Sequence, residues 1–171
     1  MSDMVSAAAA WMTKNSTRNL PRIRTASDLE ETEIGSLLLF ETSIQHYGVF
    51  LGDGMLAHLN VDKFGKSGAF AITGNGQGYV TLDKVSQLYR GETVDIFVDN
   101  SRDEVMRPYP PAVIVRRARE KEGPVDYDLF SNNCEHFATW CRYGKAESAQ
   151  VNRAANIVSK AGQIVYKLFG N

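Results

Sequence analysis

Residues 45–60 read QHYGVFLGDGMLAHLN, and this stretch decides the fold. Two apolar runs, Tyr47 to Leu51 and Met55 to Leu59, flank Gly52-Asp53-Gly54. An Asp-Gly pair between such runs is a hairpin signal, so the runs are predicted to be neighbouring antiparallel strands. His46 and His58 sit on those two strands. Side chains alternate across a strand, so both imidazoles can face one side of the sheet.

Working outward, Gly35 opens Leu37-Leu38-Leu39-Phe40, an apolar run suited to a buried strand. Phe70-Ala71-Ile72-Thr73, then Asn75-Gly76, then Tyr79-Val80 predict a second hairpin. Thr93 to Val98 alternates as a strand does. Pro110-Pro111 can open a helix running to about Glu120, and Gly123-Pro124 breaks the chain after it. Asn133 or Asn132 can cap a helix through Tyr143, with Gly144 as its stop. Val151, Ala154, Ala155, Val158, Ala161, Val165 and Leu168 form a helical stripe, so a last helix is predicted from about Ser148 to Phe169. Strands first and helices later indicate an α+β domain with an antiparallel sheet. The division expected is an extension over 1–26, a folded catalytic unit over 27–147, and an amphipathic helix over 148–171.

Composition sets the outer limits. The chain has 171 residues, 43% of them hydrophobic and 23% charged, enough for one packed domain. A net charge of −1 gives no general reason to expect nucleic-acid binding. The start, MSDMVSAAAAW, has no basic residue ahead of its short apolar run and does not read as a secretory signal. No apolar stretch approaches the roughly 18 residues needed to span a bilayer. Lys14, Arg18, Arg22 and Arg24 form a basic stretch with no acid among them, and could meet an anionic membrane surface.

The two cysteines, Cys134 and Cys141, fall in one predicted helix. Seven residues of helix rise about 10.5 Å, too far for a disulfide between them. With no disulfide framework, a reducing, cytoplasmic setting is the default.

All three histidines lie in two segments: the stretch quoted above, and SNNCEHFATWCRYG over 131–144, which holds Cys134 and His136. Cys134 would occupy the first turn of its helix, where unpaired N–H groups and the dipole stabilise a thiolate. A neighbouring imidazole would lower the thiol pKa further. A cysteine nucleophile with His46 and His58 is one chemical reading. A three-ligand zinc site of Cys134, His46 and His58 is another, without any Cys-x-x-Cys or His-x-x-x-His to strengthen it. Cys134 and His136 stand about 200° apart around a helix and do not easily share a metal. The glycines of GNGQG, 74–78, do not match a dinucleotide fingerprint, so no cofactor is expected. Around the cysteine, Asn133 reads as a cap, Glu135 as a first-turn acid suiting the dipole, His136 and Phe137 as packing residues, and Cys141 as buried. Arg142-Tyr143-Gly144 reads as a helix end.

At these two segments the chain resembles the lecithin:retinol acyltransferase family. HYGVFLGDGMLAHL looks like its histidine box, and NNCEHFATWCRYG like its cysteine motif. The motifs come in the family's order, and the likeness runs more loosely from about Gly35 to Gly144 through VTLDKV. The resemblance implies a circularly permuted, papain-like fold of the NlpC type, with histidine strands ahead of the cysteine helix. It implies His46 as base, His58 as the residue that orients it, and Cys134 as nucleophile. It implies acyl transfer or hydrolysis through a thioester, with a glycerophospholipid as acyl donor and peripheral contact with membranes. No metal is expected.

Some positions depart from the family's pattern. Relatives with broad phospholipase and acyltransferase activity often carry a tyrosine two residues before the first histidine, where this chain has Ile44. The segment after His58 is shorter than in the retinol enzyme, so a retinol acceptor does not follow. Most animal members end in a hydrophobic anchor, and AGQIVYKLFGN is too short to span. Certain picornaviral proteins carry the same histidine box and Asn-Cys motif. The alternative they imply is a non-catalytic interaction protein.

Overall fold

The computed structural model describes residues 17, 19–42, 45–60, 75–88, 93–128 and 133–147. The predicted helix over 148–169, the apolar run Phe70 to Thr73, Ile44 and the start of the chain through Asn15 lie outside them.

The hairpin is the centre of the molecule. Strands β3, His46–Gly52, and β4, Met55–Asn60, pair antiparallel with Val49 opposite Ala57. Gly52, Asp53 and Gly54 turn the chain with φ of 88°, 52° and 69°. Glycine enters that left-handed region without a Cβ clash, and aspartate is among the few side chains that tolerate it. The run after Gly35 forms β2, Leu37–Glu41, and pairs with β3. Two further strands complete the centre: β5, Asn75–Lys84, beside β4, and β6, Asp95–Val98, beside β2. With β1, Arg22–Ile23, and β7, Gly123–Asp128, they make a seven-stranded antiparallel sheet in the order β1-β6-β2-β3-β4-β5-β7. Among the described residues three helices accompany it: α1, Ala26–Glu30, α2, Pro111–Glu120, and α3, Cys134–Tyr143. This is the α+β architecture expected, with the histidine strands ahead of the cysteine helix.

Two expectations change. Asn75-Gly76 does not turn a second hairpin; the pair lies inside β5, opposite Asp128 and Tyr127 of β7. An Asn-Gly pair turns only where its flanks pair with each other, and here the partner is a distant strand. Gly123-Pro124 starts that partner rather than merely breaking the chain. β7 is the last strand in the order, and proline is tolerated on such an edge. The sheet also reaches into the stretch read as an N-terminal extension. Arg22 and Ile23 pair with Phe97 and Ile96, and Val98 N–H donates to the Pro21 carbonyl at 2.8 Å.

The pleat sorts the core into two layers. Leu37, Leu39, Tyr47, Val49, Ala57 and Leu59 face α2 and α3, packing with Ile114, Phe137, Ala138 and Cys141. Leu38, Phe40, Phe50 and Leu56 point the other way, toward Ile23 and Leu29. Burying an aliphatic or aromatic side chain of this size stabilises by about 1.5–3 kcal/mol, so both faces hold the sheet. Among the described residues no helix is long and apolar enough to cross a membrane.

Candidate active site

The start of α3 is built by reciprocal capping. The Asn133 side chain accepts from the N–H groups of Glu135 and His136, both at 3.0 Å. The His136 ring returns the contact, its Nδ1 taking the Asn133 N–H at 3.4 Å. A cap of this kind is worth about 1 kcal/mol. It fixes Cys134 at the first helical position, and His136 closes the cap rather than reaching toward the other histidines.

Cys134 is 3% exposed and packs in the same layer as Tyr47. Its Sγ lies 3.9 Å from the Gln45 carbonyl, the residue just before His46. Burial pushes the thiol up to about 12, and the backbone N–H groups of Tyr47, Glu135 and Cys134 itself pull the other way without prevailing. The expected low thiol pKa at a helix start is therefore not found in the resting protein. A helix start offers a few partial charges, whereas removal from water penalises the whole thiolate charge.

The two histidines of the hairpin do meet. His46 Nε2 lies 2.8 Å from His58 Nδ1, with the rings edge to face. Both are 2% exposed. Burial holds His46 well below the usual imidazole range, and the neighbouring His58 adds to the effect, so His46 rests neutral. Its ring packs against Phe40, 6.1 Å between centroids. The thiol and the imidazole pair thus both lie at the start of β3, the thiol against the Gln45 carbonyl and His46 as the strand's first residue. Gly48, opposite His58 in the ladder, leaves the space that Leu56 fills.

Residues inside and outside the two motifs complete the surroundings. His58 Nε2 lies 3.0 Å from the Asp83 carboxylate, which that contact, ahead of a Thr81 hydrogen bond, holds below its ordinary range. Glu135 is fully enclosed and accepts from Arg102 at 2.7 Å. Tyr47 donates its hydroxyl to Asp99 at 2.8 Å. At the far end of α3, Arg142 grips Asp103 with two bonds of 3.0 and 2.6 Å and donates to the Gly35 carbonyl at 2.9 Å. That motif arginine clamps the helix onto the loop before β2, which is more than the favourable helix-end charge read from sequence. Among the described residues, no three His, Cys, Asp or Glu side chains are arranged to hold a metal ion.

Comparison with known proteins gives this arrangement a family. The family described as Lecithin retinol acyltransferase matches residues 30–147. Human phospholipase A and acyltransferase 4 is 33% identical over 135 residues, covering 75% of this chain and 80% of its own length. Human phospholipase A and acyltransferase 1 is 33% identical over 123 residues, covering 70% of this chain and 72% of its own. Human phospholipase A and acyltransferase 2 is 32% identical over 124 residues, covering 70% and 75%. With the family match spanning both the histidine hairpin and the cysteine helix, the chain belongs to the lecithin retinol acyltransferase family.

Proposed function

We propose that this chain transfers or hydrolyses a phospholipid acyl group through a thioester on Cys134. The buried His46–His58 pair at 2.8 Å, beside the strand start that the Cys134 thiol abuts, carries the reading. The named activity of the relatives agrees with it.

His46 meets His58 through Nε2, so Nδ1 is the nitrogen that takes the Sγ proton. The sulfur attacks the ester carbonyl of a glycerophospholipid, and the carbonyl oxygen takes the negative charge. The backbone N–H groups of Cys134 and Tyr47, which face the sulfur, are the donors we assign to such an oxyanion. Collapse of the adduct breaks the ester C–O bond. His46 returns the proton to the departing lysophospholipid oxygen, leaving the acyl group on sulfur. An alcohol, an amine or water then gives its proton to His46, attacks the thioester and restores the thiol. His58 holds the His46 ring in place, the task of a carboxylate in other triads. With the thiol held up by burial and His46 held down by it, the proton moves as the substrate is attacked, not before.

The substrate lies in a bilayer, so the reading includes peripheral contact with membranes. The basic stretch from Lys14 to Arg24 and the segment 148–171 are the parts of the sequence proposed for it.

Intact-protein mass after mixing the full chain with short-chain phosphatidylcholine tests the reaction. An acyl mass on Cys134, removed by hydroxylamine and absent in Cys134→Ala, is the expected result, with Cys141→Ala still acylated. Turnover undiminished in Cys134→Ala overturns the mechanism. A second reading, a binding module that keeps the fold without the reaction, has one observation in its favour: the thiol is enclosed, only 3% exposed. Lipid binding without any acyl adduct or lysolipid product would select it.

A further inference from the structure

We propose that Asp83 is a positioning residue of the reaction, the end of an Asp83–His58–His46 relay that fixes which nitrogen of His46 is basic. The inference rests on His46 acting as the base and adds what selects its tautomer.

An ionised carboxylate only accepts, whereas each ring nitrogen of a neutral imidazole is either a donor or an acceptor. Asp83 Oδ2 lies 3.0 Å from His58 Nε2. In the neutral form of His58 that contact requires its proton to sit on Nε2, which leaves Nδ1 as an acceptor. His46 Nε2, 2.8 Å from that Nδ1, must then be the donor. A neutral His46 with its proton on Nε2 has its lone pair on Nδ1. One carboxylate thus sets two tautomers in series and leaves a base on the nitrogen needed for the thiol.

The other groups around His58 agree with this direction. The Asn60 amide donates to the Thr81 hydroxyl at 2.9 Å. Thr81 in turn bonds the Asp83 carboxylate, to which its hydroxyl can only donate. Thr81 Oγ1 and Asn60 Nδ2 also lie 3.3 and 3.4 Å from His58 Nε2, longer than the carboxylate contact. The sheet dictates the grouping. Thr81 is directly opposite His58 in the β4–β5 ladder, and Asp83 is two residues along on the same face. The Asp83 side chain is 39% exposed, so it costs the fold little to hold ionised, while His58 is enclosed.

Without the carboxylate, His58 can place its proton on Nδ1. His46 would then have to accept on Nε2 and carry its own proton on Nδ1, facing the wrong way for a base.

The test uses the full chain labelled with 15N-histidine, read by two-bond proton–nitrogen correlations that distinguish the two tautomers. In the wild type both His46 and His58 should carry the proton on Nε2. Asp83→Ala should move His58, and with it His46, away from that form. Its kcat on short-chain phosphatidylcholine should fall on the order of 10²-fold, the lower range for losing general base catalysis. KM should change by less than about twofold, as expected of a group that does not touch substrate. Asp83→Glu, which keeps an acceptor-only side chain, should recover both tautomers and rate. Unmoved tautomers in folded Asp83→Ala, or His58 protonated on Nδ1 in the wild type, overturn the inference. So does a rate loss that Asp83→Glu leaves unrepaired while the tautomers stay in place. His46→Gln separates this from the parent reading. Full turnover in that variant removes His46 as base, whereas an inactive His46→Gln with a wild-type Asp83→Ala removes only Asp83.

Discussion

Arg102 Nη2 donates to the Glu135 carboxylate at 2.7 Å, one residue after the candidate nucleophile. Glu135 is completely buried, and its charge is one of the influences that raise the Cys134 thiol. The guanidinium offsets that charge from outside the helix. The pair therefore has two tasks: it keeps a buried carboxylate compensated, and it limits the field that opposes thiolate formation at Cys134.

Arg102→Ala should accordingly cost about 3 kcal/mol, because it takes the guanidinium away from a buried carboxylate. Urea unfolding at neutral pH measures it. Replacing both partners by leucine should recover most of the loss, since an apolar pair of similar volume leaves no charge behind. A loss within the 0–1 kcal/mol of an exposed ion pair would show that water reaches Glu135.

Both thiols are pushed up to about 12 by burial. At neutral pH, iodoacetamide should alkylate Cys134 on the order of 10³-fold more slowly than an unperturbed thiol of pKa about 8.5. Alkylation followed against pH by mass checks this, and a rate near that of a simple thiol at pH 7 would mean a preformed ion pair. Stability carries the same signature. A thiol whose folded pKa is raised contributes fully below its ordinary value of 9.0 and loses that contribution as pH climbs toward 12. Cys141→Ala should flatten part of that alkaline decline.

The hairpin was legible in the sequence because Gly52-Asp53-Gly54 has local chemistry that turns a chain, and alternation then puts His46 and His58 on one face. The α3 start was legible for the same kind of reason, through Asn133. Asp83 was not, because its relation to His58 depends on the β4–β5 register across a long connection. The Arg102–Glu135 pair joins residues far apart in sequence, and an acid in a first helical turn reads equally well as a solvated charge. The thiol pKa failed for a related reason. Helix position is local and readable, while enclosure by Tyr47 and Phe137 is a property of the assembled core.

Gly48 offers a direct probe of how tightly the hairpin is packed. A Cβ built there meets three Leu56 side-chain carbons at 2.7–2.8 Å, closer than real contacts allow. Gly48→Ala should destabilise by about 1–3 kcal/mol, the range for overpacking a filled core. Because Gly48 is opposite His58, acyl transfer should fall as well. Thermal unfolding beside a turnover assay reads both, and an unchanged melting temperature would show that Leu56 moves aside freely.

His46 should leave its mark on acid stability. Burial favours its neutral form, so the folded state resists a proton that the unfolded chain accepts near the ordinary value of 6.5. A depressed pKa contributes stability above that value, and the contribution is lost as pH falls toward the folded pKa. As pH falls below 6.5 the loss should steepen toward a limit of about 1.4 kcal/mol per pH unit for one such group. Asp83 is also depressed, but from 3.8, so its effect belongs to more acid solutions and leaves this window to the histidine. Denaturant unfolding from pH 7 to 4.5, in wild type and His46→Gln, isolates the term. The variant is expected to follow a shallower slope by about that amount. Parallel curves would mean that His46 takes up its proton in the folded state at an ordinary pH, and with that the buried neutral base would be lost.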